Sequence, residues 1–243
     1  MAELQLPKLI ARVRFPSSAP PVAGRKEAMS ELVPIPSPGI PLFFGEAGDP
    51  VVMVIHDMYG RVPGLVSFAE ALASRGLRVA VPDLYNGVCT VDTKTAQALM
   101  ARLEVATALA EIDDTLLQTQ VTGDERVGLV GFSLGGWLAL LHAQAGAADA
   151  VVAYYARLAE TDHGVIPCPV LLHWAEVDEW ADGERPEQFV ARLSEHGTPV
   201  SQHRYIGTMH SFANASIPDR IDGQGAALAF ARSAVFLEKH LKE

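Results

Sequence analysis

Cysteine, basic charge and long apolar runs are scarce in this 243-residue sequence, and each shortage excludes something. There are two cysteines, Cys89 and Cys168, without metal-ligand spacing between them. Each is expected to be a small buried hydrophobe, and a reducing compartment, the cytoplasm, is the expected home. Nineteen Lys and Arg against 29 Asp and Glu give a formal charge of −10. That balance argues against nucleic acid and anionic membrane as partners, since both demand basic patches. No apolar run approaches the roughly 20 residues of a membrane span. What is plentiful is hydrophobic residues, 49% of the chain, enough for a large core in one α/β domain.

The beginning of the chain differs from the rest. Residues 1 to 41 hold eight of the sixteen prolines, and residues 1 to 28 carry five basic side chains against two acidic ones. No continuous apolar stretch of a secretory signal is present, and an organelle-targeting peptide would hold more serine. The preferred reading makes Met29 the natural start and residues 1–39 a Pro-rich arm or extension, irregular or lying across the surface.

From Pro50 onward short β-rich runs alternate with longer helical ones, the mark of a mostly parallel sheet with helices on both faces. Strands are expected at Ile40 to Phe44, Val51 to Ile55, Leu77 to Val81, Arg126 to Phe132, Ala150 to Tyr154, Val170 to Trp174 and Ser201 to Tyr205. Helices are expected at Leu65 to Arg75, Thr93 to Gln120 with a break near Arg102 to Val105, Pro186 to His196 and Asp222 to Lys242. The last should bury Leu228, Ala231, Val235 and Leu241. Residues 40–243 read as a single domain.

The chain is organised around Gly131-Phe132-Ser133-Leu134-Gly135, a Gly-x-Ser-x-Gly run between an apolar strand and a helix. That is the nucleophile elbow of α/β-hydrolases. A serine at such a tip needs a strained backbone, and β-carbons two residues before or after it would collide, so glycine stands at both places. Its hydroxyl needs a base and the base an orienting carboxylate, and in this fold they follow in the order acid, then histidine. Asp178 fits the acid, with Glu176 and Asp182 as rivals. Among the later histidines, His210 lies in a loop after the last strand, whereas His196, His203 and His240 read as solvent-facing. His173, inside a strand, reads as a satisfied core histidine.

Four motifs in order carry a resemblance: the elbow Gly131 to Gly136, the turn His56-Asp57-Met58-Tyr59-Gly60, Pro82-Asp83-Leu84-Tyr85, and His210-Ser211-Phe212. From Ile40 to the C-terminus the chain resembles the dienelactone hydrolase family. The resemblance implies an oxyanion hole from the backbone N–H groups of Met58 and Leu134. It also shows departures. Ser133 stands where the best-known members have cysteine, and Asp57 where they have glutamate, leaving Asp57 either an auxiliary group or an orderer of the oxyanion loop. The two arginines that grip a substrate carboxylate in lactone-cleaving members are matched by Gly87 and Asn214.

The expected function is a serine carboxylic-ester hydrolase acting through an acyl-enzyme on small neutral esters. The alternatives are a dienelactone (carboxymethylenebutenolide-type) lactone hydrolase and a non-catalytic hydrolase-fold binding protein. Tyr85, Tyr154 and Trp180 are candidate pocket walls. No cofactor or metal is implied, and the expected state is a monomer or small homo-oligomer.

Overall fold

The computed structural model describes residues 39–120, 122–180 and 185–243. The arm expected over residues 1–39, Met29 included, lies outside the described residues apart from Gly39. Seven strands form one sheet in the order β1-β3-β2-β4-β5-β6-β7. They are β1 Leu42–Phe44, β2 Val51–Ile55, β3 Arg78–Val81, β4 Val127–Phe132, β5 Ala150–Tyr154, β6 Val170–Val177 and β7 Val200–Met209. Only β1 runs antiparallel, against β3 at the edge; the other pairs are parallel.

The central strands are apolar throughout because helices cover both of their faces. Along β2, Val52 and Val54 point to one helical layer while Val51, Met53 and Ile55 point to the other. On the first side lie α1 (Pro63–Ala73) and α6 (Gly223–Lys242). On the second lie α3 (Val105–Thr119), α4 (Leu134–Ala143) and α5 (Pro186–Glu195). The break expected near Arg102 to Val105 separates α3 from α2 (Thr93–Met100). The Asp92 carboxylate caps α2 by accepting from the amide of Thr95. Cys89 and Cys168 are both buried and not joined by a disulfide. No helix of the described residues is long and apolar enough to cross a membrane.

Two expectations need correction. The buried stripe of α6 is Gly225, Ala229, Ser233, Leu237 and Leu241 at steps of four, whereas Leu228, Ala231 and Val235 face outward. Small residues along this stripe let the helix lie close on the sheet, and Leu237 and Leu241 supply its large apolar contacts. The other correction concerns Tyr154. Expected at a pocket wall, it is fully buried in the core.

Tyr154 belongs instead to a buried polar chain. Ser233 Oγ donates to the carbonyl of Ala229 at 2.9 Å. Its lone pairs accept from the Tyr154 hydroxyl at 2.7 Å and from His173 Nε2–H at 2.9 Å. His173 Nδ1 then accepts from the Tyr205 hydroxyl at 2.8 Å. Burial, helped by His203 and Arg232, holds the His173 pKa well below its ordinary value, so the ring is neutral as this pattern requires. His173 is the satisfied core histidine that its strand position implied. Ser233→Ala strips the acceptor from two buried donors and should cost about 2 kcal/mol or more. Urea unfolding measures it, and a loss under about 0.5 kcal/mol would contradict the network.

Candidate active site

Ser133 sits between β4 and α4 with φ 50° and ψ −113°, a conformation a side chain adopts only under constraint. The glycines around it are there for space. A β-carbon on Gly131 would strike the carbonyl of Gly135, and one on Gly135 would strike the carbonyls of Ile55 and His56. The first turn of α4 is thus packed directly onto the end of β2. The Ser133 amide donates to the carbonyl of Tyr154 at 2.9 Å, which ties the elbow to β5.

His210 and Asp178 reach Ser133 from the far edge of the sheet. Strands β6 and β7 run further than their apolar residues imply, pairing as far as Val177 with Met209 after a bulge between Ala175 and Val177. Asp178 and His210 follow directly. The His210 amide donates to the carbonyl of Val177 at 3.0 Å. His210 Nδ1–H donates to Asp178 Oδ1 at 2.8 Å, and His210 Nε2 accepts from the Ser133 hydroxyl at 2.8 Å. The carboxylate fixes this tautomer, because an acceptor on Nδ1 requires the proton there. Burial alone would raise the Asp178 carboxyl, but the His210 bond and charge, the Trp180 amide and Arg157 together hold it below its usual value. Of the rival acids, Glu176 is spent on the bulge, where it accepts from the Gly207 amide at 2.6 Å. Asp182 lies outside the described residues.

On the other side of Ser133 lies the loop after β2. His56 Nδ1–H donates to the carbonyl of Asp57 at 2.7 Å, and its Nε2 accepts from the Leu84 amide at 3.1 Å. Burial brings the His56 pKa down to about 4, so it is a neutral strut between two loops. Asp57 is buried as well. One of its oxygens accepts from the Tyr59 amide at 2.9 Å, and the other from Asn214 Nδ2 at 2.9 Å. Burial raises this carboxyl to about 6, against the lowering effect of those hydrogen bonds and of His210. The Asp57–Asn214 bond spans from the Met58 loop to the loop after His210. Leu134 is the first residue of α4, so its amide is one of those at a helix start that lack an intrahelical partner.

The remaining candidates divide. Trp180 is half-buried with its ring 6.2 Å from His210, and Tyr85 packs on His56 at 4.8 Å. Tyr85 also borders a separate cavity of about 290 Å³ between the Asp83–Asn86 loop and the segment Leu99 to Glu111. Tyr154 is withdrawn into the core, and its neighbour Tyr155, which sequence reasoning passed over, stands against His210 with ring centroids 4.8 Å apart. One signal could have found it: residues just past the carboxyl ends of parallel strands line the crevice.

Neither position that matches the two arginines supplies a cation. The Gly87 amide donates to Asp83 at 2.6 Å, and Asn214 is given to Asp57. Two arginines close to these motifs in sequence are paired, and a third, Arg157, acts on Asp178. Arg61 is buried in an ion pair with Asp83 at 2.7 Å, and Arg220 pairs with Glu179. Among the described residues, no group of three His, Cys, Asp or Glu is placed to hold a metal ion.

Known proteins share this architecture. The family model described as the dienelactone hydrolase family matches residues 43–241. A carboxymethylenebutenolidase of Rhodococcus opacus is 28% identical over 245 residues, covering 93% of this chain and 96% of that protein. Carboxymethylenebutenolidase 1 of Cupriavidus pinatubonensis is 25% identical, covering 77% and 85%. In fold, the chain matches a dienelactone hydrolase-like promiscuous phosphotriesterase from metagenomic libraries with a TM-score of 0.67, at 19% identity over 82% of this chain and 92% of that one. The chain belongs to the dienelactone hydrolase family and is a hydrolase of ester or lactone bonds.

Proposed function

We propose that the chain is a serine carboxylic-ester hydrolase that works through an acyl-enzyme on small neutral esters. One observation carries the reading: the unbroken line from the Ser133 hydroxyl through His210 to Asp178, with both bonds at 2.8 Å. Ser133 Oγ attacks the ester carbonyl while its proton passes to His210 Nε2. Asp178 orients the ring and stabilises the imidazolium. The N–H groups of Met58 and Leu134 receive the oxyanion, aided by the positive end of α4. His210 returns the proton to the leaving alcohol, and water then releases the acid by the same steps in reverse. Labelling of Ser133 by a fluorophosphonate tests the nucleophile directly; an unlabelled Ser133 in active enzyme overturns it.

Substrate charge follows from what surrounds the site. A substrate carboxylate left without a cation in a buried pocket costs several kcal/mol, about a hundredfold or more in kcat/KM. Here Gly87 and Asn214 offer none, Arg61 and Arg220 are paired with carboxylates, the Arg157 charge acts on Asp178, and Asp57 adds an acid. A neutral ester should therefore outrun its carboxylate analogue by about a hundredfold. The preference should narrow as pH falls through about 6, where Asp57 takes up its proton and loses its charge. The ratio of the two kcat/KM values against pH measures both, because the triad's own titration cancels. A preference for the carboxylate form sinks the neutral-ester reading and favours the second one, a lactonase like the carboxymethylenebutenolidases among its relatives.

A further inference from the structure

Tyr155 is held in place at some cost, and its hydroxyl bonds to nothing among the described residues. It follows β5 directly with φ 40°, left-handed backbone that a tyrosine rarely adopts. Its amide is fixed to the carbonyl of His173 at 2.7 Å. The ring lies in an aromatic setting, with centroids 4.8 Å from His210, 5.6 Å from Phe212 and 6.3 Å from Phe132. The residue is 3% exposed, and its buried hydroxyl has no hydrogen-bond partner among the described residues. The carboxylates whose charges act on it, Asp57 and Asp178, are held by other donors. A buried hydroxyl without a partner is destabilising, so its retention calls for an acceptor from outside the chain.

The sheet order says where that acceptor would be. Ser133 ends the central strand β4; the Met58 loop lies on its β2 side, and Tyr155, Asp178 and His210 on its β5–β7 side. With the oxyanion directed to the Met58 and Leu134 amides, the leaving oxygen faces His210 and its neighbour Tyr155. The geometry points to Tyr155 as a further catalytic residue, whose phenolic O–H donates a hydrogen bond to the leaving-group oxygen, an assignment that rests on the serine-esterase reading above. As the tetrahedral intermediate collapses, the bond from the acyl carbon to that oxygen breaks and its electron pair stays on the oxygen. The proton from His210 Nε2 goes to it, and Tyr155 keeps its own. Burial and the Asp57 charge push the phenol well above its usual pKa, so it serves as a donor and never as a base.

The test is a series of acetate esters whose leaving groups run from p-nitrophenol to ethanol, with kcat/KM compared in wild type and Tyr155→Phe. A nitrophenolate leaves unaided and an alkoxide does not. Tyr155→Phe should lose about tenfold on the ethyl ester and stay within about twofold on the nitrophenyl ester, steepening the dependence on leaving-group pKa. Its melting temperature should match or exceed that of wild type, because the hydroxyl removed has no partner in the protein. Equal losses on both esters, no loss on either, or a lowered melting temperature would overturn the assignment. Ser133→Ala separates the two proposals. If it still turns over ester, the serine reading falls; if it is dead while Tyr155→Phe keeps the wild-type slope, only the role of Tyr155 falls.

Discussion

Ser133→Ala should abolish fluorophosphonate labelling and lower kcat by on the order of 10⁴ to 10⁶, the range seen when a member of a catalytic triad is removed. The size of the effect has a geometric reason. The hydroxyl is 2.8 Å from the nitrogen that would take its proton, and strained backbone at φ 50° presents it there. Alanine keeps the backbone and loses the attacking atom, and nothing in the elbow can replace it: Phe132 and Leu134 flank the site with apolar side chains. Circular dichroism and urea unfolding of the variant should match wild type. A Ser133→Ala protein that retains a tenth of wild-type turnover would remove Ser133 from the chemistry.

Asp178→Asn follows, with an expected loss of about 10⁴ in kcat. An amide can present its NH₂ to His210 Nδ1, which turns that nitrogen into an acceptor and moves the proton to Nε2. The ring then donates toward Ser133 when it should accept. Glu176→Gln should cost less than tenfold, because Glu176 caps the Gly207 amide in the β6–β7 bulge and does not touch His210. A crippled Glu176→Gln beside a mildly affected Asp178→Asn would move the acid by two residues. Steady-state kinetics on a nitrophenyl ester decides between them.

The elbow was legible in the sequence because its glycines answer a steric demand that leaves little choice, and β2 because a strand covered on both faces must be apolar at every position. Chain order and loop position singled out Asp178 and His210, which the fold brings to Ser133. Other parts were hidden for physical reasons. The inner face of α6 is built from Gly225, Ala229 and Ser233, whose smallness and buried hydroxyl do not register as hydrophobic, while Leu228 and Val235 register and face water. The ends of β6 and β7 were missed because exposed Glu176, Ile206 and Gly207 extend the ladder beyond the core. The tandem tyrosines misled in a different way. Strand alternation sends Tyr154 and Tyr155 to opposite faces, yet both belong to the same core cluster, because φ 40° at Tyr155 turns it back toward His210. Periodicity carries no information about a single left-handed residue.

The three residues proposed for catalysis differ in how firmly they are anchored. Ser133 ends a strand with neighbours on both sides, but Asp178 and His210 ride on a two-stranded ribbon whose outer member, β7, is the last in the sheet. Past Ala175 that ribbon is joined by the Val177–Met209 pair and a few bonds around Glu176 and Thr208. Outer strands with exposed ladders are where local opening costs least free energy. Gentle heating should therefore fray this ribbon first and part the base from a nucleophile that is still correctly folded. Inactivation would run ahead of unfolding and reverse on cooling, so the temperature limit of the enzyme would be set by one edge of the sheet and not by its core.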